Sequence, residues 1–139
     1  MANVSLLEAF AIFGGKPANR LHSVSAIASG GAEMILGCSA SRFRHPARGI
    51  LRYEGTLAQE TEHPTEMQSL GQHLTQARDG NLPIRMIVIT QKPEAATGKV
   101  TREIHVRVDL IGKLIEFDGE KFVIDFVRSV EPAHVSARR

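Results

Sequence analysis

The stretch that decides the fold is residues 104–127, IHVRVDLIGKLIEFDGEKFVIDFV. At its start, apolar residues alternate strictly with polar ones, which is typical of a strand with one solvated face. Further along, Asp118 and Gly119 separate two strand-like segments, 113–117 and 122–127. Because Asp-Gly is among the strongest short signals for a tight turn between strands, we predict a C-terminal β-hairpin.

Upstream of this stretch, the clearest elements are one amphipathic helix and one buried strand. Thr65 and Gln68 have the spacing of a capping box, an apolar stripe follows them, and Gly80 lies where a helix C-cap belongs. Residues 84–89 are almost wholly apolar, as expected for a central strand covered on both faces. The polar segment 91–99 is predicted to be a mobile loop.

Shorter elements precede the helix. Ser5 and Glu8 fit a capping box and predict a short N-terminal helix. Weaker patterns predict strands over 22–28, 34–38 and 49–57. Six or seven strands with one main helix indicate an α+β fold, which we predict to be a small, mostly antiparallel sheet, curved or closed into a β-barrel.

Composition narrows the class of protein. The chain is 42% hydrophobic and 23% charged, near the average for globular proteins, so we expect one domain over 1–139 with frayed ends at 1–4 and 132–139. Cys38 is the only cysteine, which excludes an intrachain disulfide and a four-cysteine zinc site. No segment has the pattern of a signal peptide or a membrane span. We predict a cytoplasmic protein without a membrane partner, a metal or another cofactor.

The basic residues are unevenly distributed. The net charge is only +2, but 12 of the 17 basic residues are Arg, the better bidentate ligand for phosphates and bases. No acid occurs between Glu33 and Glu54, and this interval contains a basic loop with an aromatic residue inside it: Arg42, Phe43, Arg44, His45 and Arg48. Arginines would neutralise phosphates while Phe43 or Tyr53 stacks on a splayed base. The competing interpretation is a solvated basic face paired with the acids that follow, with Phe43 in the core.

A second candidate segment follows Gly14 and Gly15. Glycines let backbone N–H groups approach an anion closely, and Lys16, Arg20 and the hydroxyls further along would add contacts. The candidate residues after Arg20 are His22, Ser23 and Ser25. The segment lacks the spacing of a P-loop or of a dinucleotide fingerprint, so a simple glycine turn is the alternative.

Two other classes of function compete with nucleic-acid binding. A metal-dependent hydrolase or nuclease would use the acids Glu60, Glu62 and Glu66 with a histidine, although acids near a helix start are also explained by the helix dipole. A protein-interaction module, including a homo-oligomer, would use the acidic stretch or the polar face of the 104–110 strand. His105 and Arg107 lie on that face and could line a groove, yet alternation alone already predicts polar residues there.

The order of residues also resembles known families. From Asn19 onward it is similar to an uncharacterised family of small bacterial proteins, in segments that include the apolar strand 84–89 and the closing hairpin. Where that family carries tryptophans, this chain has His22 and Val24, a departure that bears on any aromatic pocket. The order of strands, helix, central strand and hairpin resembles the PUA-like barrels, which include SRA, YTH, EVE and ASCH domains.

The PUA-like resemblance implies a domain that binds DNA or RNA and receives a modified or flipped base in a pocket. It also implies that residues 42–48 and 14–25 form the rim of that pocket. The resulting prediction is a nucleic-acid reader or adaptor rather than an enzyme.

Overall fold

A computed structural model describes residues 4–17, 23–93 and 95–129 of the chain. It contains a seven-stranded, mostly antiparallel sheet with three α-helices, so the predicted α+β class is confirmed. The strands are β1 (Ser25–Ile27), β2 (Met34–Ser39), β3 (Phe43–Ala47), β4 (Ile50–Thr56), β5 (Ile84–Pro93), β6 (Val100–Phe117) and β7 (Lys121–Arg128). The helices are α1 (Leu6–Ile12), α2 (Leu57–Glu60) and α3 (Pro64–Gly80).

The strand order is β1-β2-β5-β6-β7-β4-β3, with β2 and β5 parallel and every other neighbouring pair antiparallel. The predicted C-terminal hairpin is confirmed, since β6 and β7 pair across the Asp118-Gly119 turn. The segment 113–117 is not a separate strand, because β6 runs without interruption to Phe117. The predicted loop 91–99 is wrong at its start, because β5 pairs with β6 as far as Pro93.

The ends of the helices show which of the predicted caps form. Ser5 and Glu8 form the predicted capping box of α1. The predicted capping box at Thr65 is wrong: the N-cap of α3 is His63, two residues earlier, and Pro64 lies in the first turn, where a missing N–H costs nothing. It ends at Asn81 in the left-handed conformation, so Gly80 is still helical.

The sheet curls strongly. β2 and β3 are second and seventh in the strand order, and in a flat sheet five strand spacings would hold them about 24 Å apart. Only the 3-10 helix Ala40–Arg42 joins them, and the step from Ser39 to Phe43 reaches about 14 Å at most. The two sides of the sheet must therefore approach each other. Within the described residues no ladder joins β1 to β3, so the sheet is open and the predicted closed barrel is not confirmed.

Each face of the sheet carries its own apolar core. On the concave face, Leu70, Leu74 and Ala77 of α3 pack against apolar residues of β2, β4, β5, β6 and β7. On the convex face, α1 covers β1, β2, β5 and the first part of β6 through Phe10 and its neighbours. The central strand β5 is thus covered on both faces, as predicted. None of the described helices is both long and apolar enough to cross a bilayer.

Candidate functional site

The predicted basic loop does not exist as a loop. It folds into the end of the 3-10 helix, the edge strand β3 and the β3–β4 turn, so strand alternation sends its side chains to different places. Phe43 and His45 face the concave side and line a cavity. Arg44 lies on the opposite side of the strand, where it pairs with Glu54 at 3.1 Å. Arg48 is exposed in the turn, and no hydrogen bond or ion pair engages it within the described part of the chain.

Arg42 closes the seam between the two approaching sides of the sheet. Its Nη2 donates to the Tyr53 hydroxyl at 2.6 Å and pairs with the carboxylate of Glu60. The Tyr53 hydroxyl donates to Glu60 at 2.9 Å and accepts from the backbone N–H of Ser39 at 2.9 Å. These bonds connect β2, the 3-10 helix, β4 and α2. The guanidinium of Arg42 is therefore engaged inside the protein.

Gly55 makes room for this seam. A Cβ atom at this position would lie 2.6 Å from Arg42 Nη1 and 2.9 Å from Glu60 Oε2. Because that separation is below any real carbon contact, a larger residue at Gly55 would push the ion pair away from β4. The absence of a side chain is thus what allows the pair to lie against the strand.

Tyr53 is not a stacking platform. Its ring is completely buried, between Phe43 with ring centroids 5.3 Å apart and Phe122 at 6.1 Å. Burial raises the pKa of its hydroxyl well above the usual range, so it remains a neutral donor. The prediction that Tyr53 stacks on a base is corrected, because no face of the ring reaches solvent.

A cavity of about 620 Å³ opens on the concave face beside β3. Its floor is formed by the buried residues Met86, Leu110 and Phe126. Its walls are the partly buried Phe43, Leu51 and Val88, which belong to the same apolar cluster as α3. The cavity is therefore the part of the concave face that α3 leaves uncovered. Ala40, Gly49 and Ile50 complete its apolar lining.

Three cationic or titratable side chains lie at the mouth of this cavity: His45, Arg107 and Arg128. Arg107 follows from the register, since it pairs with Met86 across β5 and β6 and so shares its face. Arg128 is opposite Leu110 on β7 in the same way. Sequence reasoning placed Arg107 on a polar face that could line a groove but missed Arg128. Arg128 could be found only from the pairing register of the β6–β7 hairpin. The sequence predicts the hairpin, but it does not determine which residues of the two strands are opposite each other.

The remaining predicted site residues do not join this cavity. Arg20 and His22 lie outside the described residues. Ser23 is buried at a separate, smaller cavity of about 290 Å³ that is also lined by Glu60 and Arg102. Gly15, in the glycine turn of the second candidate segment, has a packing role, because a Cβ at this position would lie 2.4 Å from the Ile35 side chain.

The acidic cluster does not form a metal site in the described structure. Glu60 is committed to Arg42 and Tyr53. Throughout residues 4–17, 23–93 and 95–129, no group of three or more His, Cys, Asp or Glu side chains is arranged to hold a metal ion. Cys38 is fully buried, and burial raises the pKa of its thiol far above the usual range, so it is not an activated nucleophile.

Sequence reasoning also missed a partly buried polar pair that joins β1 to α3. Ser25 Oγ and His73 Nδ1 are 2.7 Å apart. Burial lowers the pKa of His73, and the charge of Glu66 opposes that shift. Neither Ser25 nor His73 lines the cavity, so the pair tethers the edge strand to the helix.

Comparison with known proteins adds no relative. No protein-family model matches the chain. Neither the curated proteins nor the solved structures contain a significant match.

Proposed function

We propose that this protein binds single-stranded nucleic acid and receives one unstacked base in the cavity beside β3. The observation that carries the proposal is an apolar cavity with cations at its mouth. A volume of about 620 Å³ lies within the range of roughly 300–1,000 Å³ that is common for ligand sites. The partly buried ring of Phe43 offers a surface on which any base can stack.

The charges at the mouth fit an anion attached to such a base. Arg107 and Arg128 lie on neighbouring strands and share one face, where they are placed to meet a phosphate as the base enters. Arg48 is exposed on the hairpin that forms the opposite side of the cavity. We therefore propose that the nucleic acid crosses the mouth of the cavity from β3 to β6 and β7.

This proposal changes which residues carry the predicted function. Phe43, His45 and Arg48 remain in the site, while Arg107 and Arg128 take the phosphate-binding role that was predicted for Arg42 and Arg44. A PUA-like reader or adaptor is part of the same proposal. A mostly antiparallel sheet that curls around one long helix supports that part.

The test is the binding of fluorescent single- and double-stranded DNA and RNA at two salt concentrations. The double variant Arg107→Ala/Arg128→Ala should weaken single-strand binding about tenfold or more. It should also make the plot of log affinity against log salt shallower by about 1.4, since each single-strand phosphate contributes about 0.7.

The matched control is Arg44→Ala/Arg52→Ala, which removes the same charge from the outer face, where these arginines pair with Glu54 and Asp125. The control should bind nearly as well as the wild type. Equal losses in both double variants would refute the site, and a stronger loss in the control would move binding to the outer face. Tighter binding of duplex than of single strands would refute the proposal that the cavity receives an unstacked base.

A further inference from the structure

One of the two arginines at the mouth of the cavity is already paired in the free protein. Arg107 donates from Nε to Asp109 Oδ1 and from Nη2 to Oδ2, both at 3.0 Å. This side-on fork is the geometry in which arginine also binds a phosphate. A phosphate at the mouth and the carboxylate of Asp109 therefore compete for the same two N–H groups.

The pair is easy to open. The side chains of Arg107 and Asp109 are 42% and 37% exposed, and ion pairs that exposed contribute little to stability. By contrast, Glu60 in the seam is only 4% exposed. Once released, the carboxylate of Asp109 would remain in contact with water, because its side chain is 37% exposed.

Asp109 remains charged over the whole neutral pH range. The hydrogen bonds from Arg107 hold the pKa of this carboxyl below its usual value, and the charges of Arg107 and Arg128 act in the same direction. Both arginines at the mouth are therefore under the influence of one fixed internal anion.

We propose that Asp109 is an internal competitor that occupies Arg107 until a phosphate of the nucleic acid displaces it. The inference rests on the proposed function, and it assigns Asp109 the role of limiting the affinity of the site. A nucleic-acid strand would bind only when the contacts of its base inside the cavity contribute enough binding free energy to open the pair between Arg107 and Asp109. Anions that cannot place a group in the cavity would be rejected.

The molecule contains a matched pair for comparison. Arg52 and Asp125 form the same bidentate fork at 2.7 and 2.9 Å, but on the outer face of β4 and β7. Asp109→Asn and Asp125→Asn each raise the net charge by one and each release one arginine. The two variants differ in whether the released arginine faces the cavity.

The experiment measures single-stranded oligonucleotide affinity for the wild type and for five variants: Asp109→Asn, Asp109→Ser, Asp125→Asn, Arg107→Ala, and Asp109→Asn combined with Arg107→Ala. Asp109→Asn should bind about five- to tenfold more tightly, because the competitor is gone. Asp125→Asn should change affinity less than about twofold, as expected for screened distant charge. The gain from Asp109→Asn should vanish in the Arg107→Ala background, since the two residues act as one unit.

Several results would overturn the inference. If Asp125→Asn increased the affinity as much as Asp109→Asn does, the cause would be the added net charge. The same conclusion would follow if Asp109→Asn still increased the affinity in the Arg107→Ala background. Weaker binding by Asp109→Asn and by Asp109→Ser, with unchanged melting temperatures, would make Asp109 a positioning residue for Arg107. If neither the wild type nor Asp109→Asn binds, both this inference and the proposed function fail. Binding that depends on Arg107 and Arg128 but not on Asp109 removes the inference alone.

Discussion

The two halves of the concave face are built from the same kinds of residue but are filled differently. In one half, Leu70 and Leu74 of α3 are completely buried against the sheet. In the other half, Leu51 and Val88 are only partly buried and border the cavity. Apolar side chains in a strand do not by themselves distinguish a core from a pocket. The two halves differ in whether a helix of the same chain packs on the strands: α3 covers one half and leaves the other open.

The largest expected effect is on stability in the covered half. Leu74→Ala should lower the free energy of unfolding by about 3 kcal/mol, because it removes a fully buried side chain and leaves a void. Leu51→Ala in the open half should cost about 1 kcal/mol, because solvent already reaches that partly buried side chain. Urea denaturation of both variants measures the difference. Equal costs would mean that the two halves are packed alike.

The next effect concerns the seam that brings the two sides of the sheet together. Tyr53→Phe removes the hydroxyl that bonds Ser39, Arg42 and Glu60, and we expect a loss of about 2 kcal/mol from groups left without a buried partner. The control is Arg44→Met, which breaks an exposed pair and should cost less than about 0.5 kcal/mol. A loss in Tyr53→Phe no greater than in the control would contradict the role of the seam.

Filling the open half should affect binding without affecting stability. Ala40 lines the cavity and is exposed, so Ala40→Phe should place a ring there without strain. We expect oligonucleotide affinity to fall about tenfold while the melting temperature stays unchanged. Ala58→Phe at the smaller cavity is the control and should bind like the wild type. Equal losses would show that neither ring acts by filling the proposed site.

The smallest effect is a pH dependence in the covered half, at His73. Burial lowers the pKa of His73 from its ordinary value of 6.5, so the unfolded chain binds a proton at a higher pH than the folded one. Its contribution to stability is therefore complete above about pH 6.5 and is lost as the pH falls below that value. His73→Asn should flatten the stability curve between pH 7 and pH 5. The same slope in the variant would assign the dependence to another group.

Local signals predicted much of this fold. Asp118-Gly119 predicted the closing hairpin, which is confirmed. The helix predicted from the apolar stripe and the central strand predicted from residues 84–89 are confirmed as α3 and β5. The prediction of a basic loop is wrong because β3 has too few residues and too many charges for its alternation to show in the sequence. Folding it as a strand separated Phe43 and His45 from Arg44.

The site itself depends on contacts between distant parts of the chain. Arg128 reaches the mouth only because β7 pairs with β6 in one register, and Phe43 arrives from an edge strand beyond β4. Arg42 was predicted to bind phosphate, yet the curl of the sheet places it beside Glu60, eighteen residues further along the chain. The competing interpretation, in which the basic residues pair with the acids that follow, is confirmed for Arg42 with Glu60 and for Arg44 with Glu54.

The most direct test is a titration of the methyl-labelled protein with a short single-stranded oligonucleotide, followed by NMR. A base stacked in the cavity should shift the methyl signals of Met86, Val88 and Leu51 through its ring current. The methyl signals of Leu70 and Leu74, under α3, should stay in place. Shifts confined to the outer face or spread equally over both halves would contradict the account.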